Sequence, residues 1–207
     1  MPTDDGRSNI MNVIFGIVFP VLGYLSGSLA SAVIVCRIMK LPDPREGGSG
    51  NPGATNVLRL GGKTAAALTL AGDFFKGLVP VLLAYLVSGS PGVLAGTGVA
   101  AVVGHMYPLF FSFKGGKGVA TAFGATTAMV YPVALFMGAV WLLTAMATRY
   151  ASLASMAAAV AAPLFALVFI QELDYFVALA VIAALLVYRH RENIKRLRAG
   201  TESEINL

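Results

Sequence analysis

The topology of this chain depends on one apolar segment, VATAFGATTAMVYPVALFMGAVWLLTAMAT, at residues 119–148. A helix that crosses a lipid bilayer needs about 20 residues, so this uncharged segment is too long for one comfortable crossing. Pro132 lies near its middle, where a helix is expected to kink or break. The segment therefore crosses either once or twice, as two short helices around Tyr131 and Pro132. The number of crossings determines the side of the membrane on which every later connector lies.

The composition of the chain indicates an integral membrane protein. Of its 207 residues, 57% are hydrophobic and 12% are charged, with a mean hydropathy of +0.77, and soluble domains carry about twice as many charges. Five further apolar segments occur at residues 10–36, 64–87, 93–111, 152–170 and 175–188. The first exceeds a signal-peptide core in length, so we expect an uncleaved first span. A single cysteine, Cys36, excludes an internal disulfide and a cysteine-rich metal site.

The positions of the cations favour two crossings by residues 119–148. Lys and Arg collect in short cytoplasmic loops, and 13 of the 15 here lie in four connectors. These cations are Arg37, Lys40, Arg45, Arg59, Lys63, Lys114, Lys117, Arg149, Arg189, Arg191, Lys195, Arg196 and Arg198. Two crossings place all 13 on one face, whereas a single crossing divides them between both faces.

We therefore predict an all-α integral membrane protein with about seven transmembrane helices, some of them short. The N-terminus is expected outside and the C-terminus in the cytoplasm. Residues 1–207 are interpreted as a single polytopic membrane domain with three loops on the cytoplasmic face. We name these the first loop (residues 45–63), the second loop (residues 104–121) and the third loop (residues 149–155 plus 189–202).

The residue types in these loops are those that bind phosphate. The first loop contains GSGNPGATNVLR at residues 48–59, and the second contains GGKG at residues 115–118. Glycines allow backbone N–H groups to form a concave anion site. Arg59 can bind a phosphate through two parallel hydrogen bonds, while Lys117 acts as a compact charge. Membrane topology alone could account for other cations, and the basic tail could instead contact anionic lipid headgroups.

Two charged residues lie inside an apolar segment. Asp73 and Lys76 occupy positions i and i+3 of a predicted helix, so they share a face and can form an ion pair. A charge within a span costs roughly 2.5–3.5 kcal/mol on insertion scales, which favours a structural pair over a catalytic role. The chain lacks a nucleotide-binding G-x-x-x-x-G-K-[ST] sequence, an H-E-x-x-H sequence and a Cys/His metal spacing. We expect no metal and no cofactor.

The three loops together resemble the bacterial acyl-phosphate:glycerol-3-phosphate acyltransferase family (PlsY). The sequences that carry the resemblance are GSGNPGATNVLR, GHMYPLFFSFKGGKGVAT and HRENIKRLRAGTE, in this order. The resemblance implies a seven-helix fold in the bacterial inner membrane with its active site at the cytoplasmic face. It also implies transfer of an acyl group from acyl phosphate to glycerol 3-phosphate, giving lysophosphatidic acid and inorganic phosphate in the first acylation step of phospholipid synthesis.

Site residues follow from positions in these motifs. The expected catalytic residues are Ser49, Arg59, Lys117, His190 and Asn193. The expected substrate-binding residues are Asn51, Thr55, Asn56, His105, Lys114 and Ser155. Of these, Ser49, Arg59, Lys117 and His190 are expected to hold phosphates, and Ser155 and Asn193 to orient glycerol hydroxyls.

The expected partners are glycerol 3-phosphate, acyl phosphate and membrane lipids, with no nucleic acid and no obligate protein partner. A transporter for a small phosphorylated solute is the alternative, although its binding groups would lie near the bilayer midplane. A lipid-binding scaffold without chemistry would not need the paired glycine loops.

Overall fold

The computed structural model describes residues 5–205, and all regular elements in that range are helical. The predicted outer position of the N-terminus falls on residues outside this range. The α-helices are α1 Asp5–Gly27, α2 Ser31–Ile38, α3 Ala54–Val87, α4 Pro91–Met106, α5 Val119–Met129, α6 Tyr131–Thr148, α7 Ala151–Phe165, α8 Leu173–Arg189 and α9 Arg191–Arg198. A short 3-10 turn, Leu109–Phe111, follows α4, and a π-helical turn, Ala166–Ile170, extends α7.

The chain forms two compact units, residues 1–129 and residues 130–207. The first unit contains α1 to α5 and the second contains α6 to α9. The interpretation of residues 1–207 as a single domain stays a prediction.

Glycines allow the helices of the first unit to approach closely. Where α1 meets α4, a Cβ on Gly27 would clash with the carbonyl oxygen of Ala101, and one on Gly104 with that of Tyr24. Where α3 meets α5, Gly77 and Gly124 lie equally close to the opposite backbone. Small residues stabilise helix pairs in membranes because they bring the backbones into van der Waals contact. These contacts hold α4 against α1 and α5 against α3.

The first loop contains more helix than the sequence indicates. Helix α3 begins at Ala54, ten residues before the apolar segment at residue 64, and a kink at Gly62 divides it. Gly62 has φ 77°, a left-handed conformation that glycine adopts without the steric penalty of a Cβ. Arg59 therefore lies on a short helical stretch before the kink.

The segment at residues 119–148 is broken where the sequence predicts. Helix α5 ends at Met129, α6 begins at Tyr131, and Val130 belongs to neither helix. Pro132 occupies the first turn of α6, where its missing N–H removes no helical hydrogen bond. The predicted break around Tyr131 and Pro132 therefore lies within two residues of the observed one.

Five helical stretches in the described range are long and apolar enough to cross a membrane. A sixth is possible if α8 and α9, which meet at a bend of 57°, are one broken span. Helix α5 has 11 residues, or roughly 16 Å at 1.5 Å per residue, about half the thickness of a bilayer core. The count of seven crossings stays a prediction.

Helices of the second unit pack through aromatic rings and small residues. Phe136 of α6 stacks on Phe165 of α7 with ring centroids 4.4 Å apart, and Phe165 contacts Phe169 at 4.6 Å. Ala154, Ala158 and Ala162 of α7 are buried, as expected for a helix-packing stripe. This packing holds α7, whose first residues belong to the third loop.

Candidate active site

A buried side chain determines the shape of the first loop. Asn56, in the first turn of α3, is 2% exposed. Its Nδ2 donates hydrogen bonds to the carbonyl oxygens of Pro44 (2.8 Å) and Gly47 (3.0 Å), and its Oδ1 accepts one from the N–H of Ser49 (2.8 Å). The amide of Asn56 thus closes the loop through three backbone contacts.

The glycines of the first loop are required by its backbone. Gly48 and Gly50 have φ values of 61° and 69°, in the left-handed region that favours glycine. A Cβ on Gly48 would also clash with Oδ1 of Asn56. Ser49, between the two glycines, is exposed. The turn therefore presents Ser49 at the surface while Asn56 holds it from inside.

An ion pair precedes the turn. The guanidinium of Arg45 contacts the carboxylate of Asp43 at 2.6 Å, and the backbone N–H of Arg45 donates to the same carboxylate at 2.9 Å. The side-chain hydrogen bond from Arg45 lowers the pKa of Asp43 below its ordinary value. Asp43, two residues earlier, therefore neutralises much of the charge of Arg45.

The second loop packs directly on the end of α4. The N–H of Gly116 donates to the carbonyl oxygen of His105 (3.2 Å). A Cβ on Gly115 would clash with this same carbonyl oxygen, and one on Gly116 would clash with Nε2 of His105. A Cβ on Gly116 would also lie 2.9 Å from the carbonyl oxygen of Pro52. The GGKG sequence is thus the contact between the second loop and the first.

His105 connects this loop to the interior of the first unit. It is 6% exposed, and its Nδ1 lies 3.1 Å from Oγ1 of Thr121 and 3.5 Å from Oδ1 of Asp73. Lys76 forms an ion pair with Asp73 at 2.8 Å and donates to the carbonyl oxygen of Leu29 at 2.7 Å. The ion pair expected between Asp73 and Lys76 is confirmed.

The other predicted residues of the first unit differ in exposure. Thr55, Arg59 and Lys114 are exposed, whereas Asn51 and Lys117 are partly buried. Lys117 directly follows the glycine that contacts Pro52. The structure thus joins the first and second loops where Gly116 meets Pro52, and it leaves Arg59 accessible on the first turns of α3.

A carboxylate organises the third loop in the second unit. Oε1 of Glu202 accepts hydrogen bonds from Oγ of Ser152 (2.7 Å) and from Nδ2 of Asn193. Oε2 accepts one from Nε of Arg196 (2.7 Å). Burial raises the pKa of Glu202, but the hydrogen bonds outweigh it and lower this pKa below its ordinary value. Glu202 therefore ties the start of α7 to α9 as an ionised group.

His190 lies at the bend between α8 and α9 and is 2% exposed. Its Nδ1 is 2.8 Å from the carbonyl oxygen of Leu186. Because a carbonyl oxygen only accepts, Nδ1 carries the proton. The contact therefore fixes the orientation of the ring.

Ser155 is also bound within the second unit. Its hydroxyl donates to the carbonyl oxygen of Ala151 (2.7 Å) and accepts from Nε1 of Trp141 (3.1 Å). Trp141 thus holds a side chain that was predicted to contact substrate.

Sequence reasoning missed several residues that organise the loops. Glu202 was within the third loop but had no assigned role, and Thr121 and Trp141 were not singled out. Glu202 could have been recognised as an acid that follows a strongly basic helix. Trp141 could have been recognised as the one tryptophan of the chain. Asn56 was expected to bind substrate, and that role stays a prediction, since its described contacts are all with backbone.

Comparison with known proteins identifies relatives over nearly the whole chain. A family model described as glycerol-3-phosphate acyltransferase matches residues 17–200. A glycerol-3-phosphate acyltransferase of Legionella pneumophila (strain Lens) is 51% identical over 191 residues, which is 92% of this chain and 69% of that one. One from Halorhodospira halophila is 51% identical over 190 residues, which is 91% of this chain and 96% of that one.

Two crystal structures of PlsY (YgiH), an integral membrane glycerol 3-phosphate acyltransferase, are also similar. The glycerol 3-phosphate form matches with a TM-score of 0.87 and 44% identity, over 92% of this chain and 96% of that one. The lysophosphatidic acid form matches with a TM-score of 0.84 and 43% identity, over 92% and 95%.

Proposed function

This chain belongs to the glycerol-3-phosphate acyltransferase family, and we propose on that premise that it acylates glycerol 3-phosphate to lysophosphatidic acid. It is an integral membrane enzyme of phospholipid synthesis. The observation that carries the proposal is the similarity to PlsY structures in glycerol 3-phosphate and lysophosphatidic acid forms. The phosphate-binding character of the loops supports it independently.

We propose acyl phosphate as the acyl donor. The glycerol hydroxyl oxygen attacks the acyl carbonyl carbon, the bond from that carbon to the phosphate oxygen breaks, and inorganic phosphate leaves. The hydroxyl proton passes to a phosphate oxygen of a substrate. Because an acyl phosphate is a mixed anhydride with a good leaving group, the reaction needs no covalent intermediate on the enzyme. The protein then contributes positioning and charge neutralisation.

In the first unit, the glycine loops and cations serve as phosphate ligands. Both substrates carry a phosphate with a charge near −1.5 to −2 at neutral pH. Ser49 is exposed on its turn, Arg59 is exposed on the first turns of α3, and Lys117 follows the glycine that contacts Pro52. We assign phosphate binding to these three side chains. Asn56 acts on them through the backbone of the loop, as a positioning residue.

The second unit supplies an oriented imidazole and two polar side chains. With Nδ1 of His190 bound to a carbonyl oxygen, we assign the binding of a substrate phosphate to Nε2. Asn193 and Ser155 orient the glycerol hydroxyls. Glu202 is a positioning residue here, because it fixes Asn193 and the start of α7.

We propose the bacterial inner membrane as the location, with the three loops at the cytoplasmic face. The cation distribution supports this, since 13 of the 15 Lys and Arg lie in connectors that seven crossings place on one side. Transport of a phosphorylated solute is not favoured, because the polar groups of the loops cluster at helix ends. A transporter would place them at broken helices near the midplane.

The proposal is tested with the purified protein in lipid. We expect acyl phosphate and glycerol 3-phosphate to give lysophosphatidic acid and one equivalent of inorganic phosphate. Acyl-CoA should support far slower turnover, and Cys36→Ala should leave the rate nearly unchanged because no thiol takes part. Equal use of acyl-CoA would contradict the choice of donor, and a lack of product from either donor would contradict the proposed reaction.

A further inference from the structure

A charged pair lies buried inside α3 and has no role in the chemistry described above. The side chains of Asp73 and Lys76 are each 5% exposed. Lys76 contacts both Asp73 and the carbonyl oxygen of Leu29, at the turn between α1 and α2. Ionisable residues within spans are rare because burying them is costly, and their presence commonly marks function. We therefore expect the pair to have a function beyond helix packing, because glycines already provide the packing along α3.

Asp73 faces one edge of the His105 ring. Its Oδ1 lies 3.5 Å from Nδ1 of His105, and the hydroxyl of Thr121 lies 3.1 Å from the same nitrogen. A carboxylate only accepts hydrogen bonds, whereas a hydroxyl can donate or accept. At this distance the negative charge of the carboxylate favours the ring form with a proton on Nδ1, whereas the hydroxyl alone would permit either form.

The opposite edge of the ring lies under the second loop. Nε2 of His105 is so close to Gly116 that no Cβ fits there, and the backbone of His105 accepts the N–H of Gly116. The orientation of the ring and the conformation of the GGKG sequence are therefore coupled. Lys117 is the next residue in the chain.

We propose that Asp73, neutralised and anchored by Lys76, is a positioning residue for phosphate binding. It keeps His105 protonated at Nδ1 with Nε2 against Gly116, and it thereby sets the position of Lys117. The link runs from Leu29 through Lys76 and Asp73 to His105. This inference rests on the proposed function, because it assigns the coupled loop to a substrate phosphate.

The first readout is the protonation state of His105, which does not depend on turnover. The chain has two histidines, so ¹⁵N labelling of the imidazoles gives a simple NMR spectrum, and His105→Gln identifies which signals belong to His105. We expect a protonated Nδ1 at His105 in the wild-type protein. In Asp73→Leu/Lys76→Met the Nδ1 signal should move toward that of a ring with mixed protonation.

The double variant also distinguishes a role in positioning His105 from a role in stabilising the fold. Replacing a buried ion pair by apolar residues of similar size is often neutral or stabilising, so this variant avoids the unpaired charge of Asp73→Leu alone. We expect an unfolding midpoint no lower than that of the wild type. The KM for at least one of the two phosphate substrates should nevertheless rise about tenfold. A purely structural pair would change stability and activity together.

A matched control lies one turn earlier on the same helix. Thr69 is fully buried, and among the described residues its hydroxyl has no hydrogen-bond partner. Thr69→Val removes a buried polar group from α3 without touching His105, so the NMR signals and both KM values should stay as in the wild type.

Two results would overturn the inference. The first is a double variant whose His105 signals coincide with those of the wild type, and the second is a double variant that keeps both KM values. If the wild-type protein makes no lysophosphatidic acid, the proposed function fails. The NMR comparison then still decides whether Asp73 sets the state of His105.

Discussion

Gly116 lies against the carbonyl oxygen of Pro52, so close that a Cβ at residue 116 would be 2.9 Å from that oxygen. The two residues lie more than sixty positions apart in the sequence, one in each loop, and both loops were predicted to bind phosphate. No side chain fits at residue 116, because its Cβ would also meet Nε2 of His105. The juxtaposition of the first and second loops thus depends on this glycine.

Gly116→Ala should therefore separate the two loops. Neither the Pro52 backbone nor the buried His105 ring can yield easily, so we expect catalytic efficiency to fall by at least tenfold, mainly through a higher KM for a phosphate substrate. Steady-state kinetics in both substrates measures this. Gly16→Ala is the control, because a Cβ there meets nothing within 4 Å. Equal activity of Gly116→Ala and Gly16→Ala would show that the contact is not functional.

Arg59 is a cation of the first loop that lies exposed on α3, before the kink at Gly62. Arg59→Lys keeps the charge but loses the planar pair of donors, so it should be a poor replacement at a phosphate site. Loss of a charge-assisted hydrogen bond costs about 1.5–3 kcal/mol, which lowers kcat/KM roughly tenfold to a hundredfold. Arg59→Ala should lose more without changing the unfolding midpoint.

Lys63→Ala is the matched control for Arg59. Lys63 is an exposed cation of the same loop, and only its contribution to topology was assigned. Similar kinetics for Arg59→Ala and Lys63→Ala would mean that the first loop binds no phosphate through Arg59.

Glu202 should stabilise the second unit in a pH-dependent way. Its hydrogen bonds hold its pKa below the ordinary value of 4.5. The stabilisation from ionised Glu202 is therefore present above about pH 4.5 and is lost as the pH falls through the folded-state pKa. Glu202→Gln should lower the unfolding midpoint at pH 7, and the difference from wild type should shrink below pH 4.5.

Glu204→Gln is the control for Glu202, measured by thermal unfolding at the same pH values. Glu204 pairs with Arg149 at 3.4 Å, but both side chains are more than half exposed, so the pair contributes little. If Glu204→Gln lowers the unfolding midpoint as much as Glu202→Gln does, the hydrogen bonds of Glu202 provide no specific stabilisation.

The two crossings by residues 119–148 can be tested by cysteine labelling in intact membrane vesicles. In a Cys36→Ala background, we expect Glu46→Cys, Lys114→Cys and Ser203→Cys to react from the cytoplasmic side, and Ser88→Cys to react from the other side. Labelling of Lys114→Cys and Ser203→Cys from opposite sides would reject the double crossing. It would also remove the charge argument for a shared cytoplasmic face.

Helix identity and the main helix ends could be predicted from the sequence because they depend on local properties. The length of residues 119–148 and the position of Pro132 predicted a break around Tyr131 and Pro132, which the structure places at Val130, and the spacing of Asp73 and Lys76 predicted their ion pair. The phosphate-binding residues were chosen from residue types and from motifs that resemble a known family. Local composition was less informative at Ala54, where α3 starts within a glycine-rich stretch.

The tertiary structure decided how the predicted residues are held. Nothing in the local sequence indicates that Asn56 closes the first loop, that Glu202 binds Ser152 and Asn193, or that Asp73 reaches His105. These contacts join residues that are distant along the chain, and they form only when helix packing brings their backbones together. Hydrophobicity, charge and glycine content are properties of a segment and can be summed along it. A hydrogen bond between two segments depends on their relative position, which the packing of the folded chain sets.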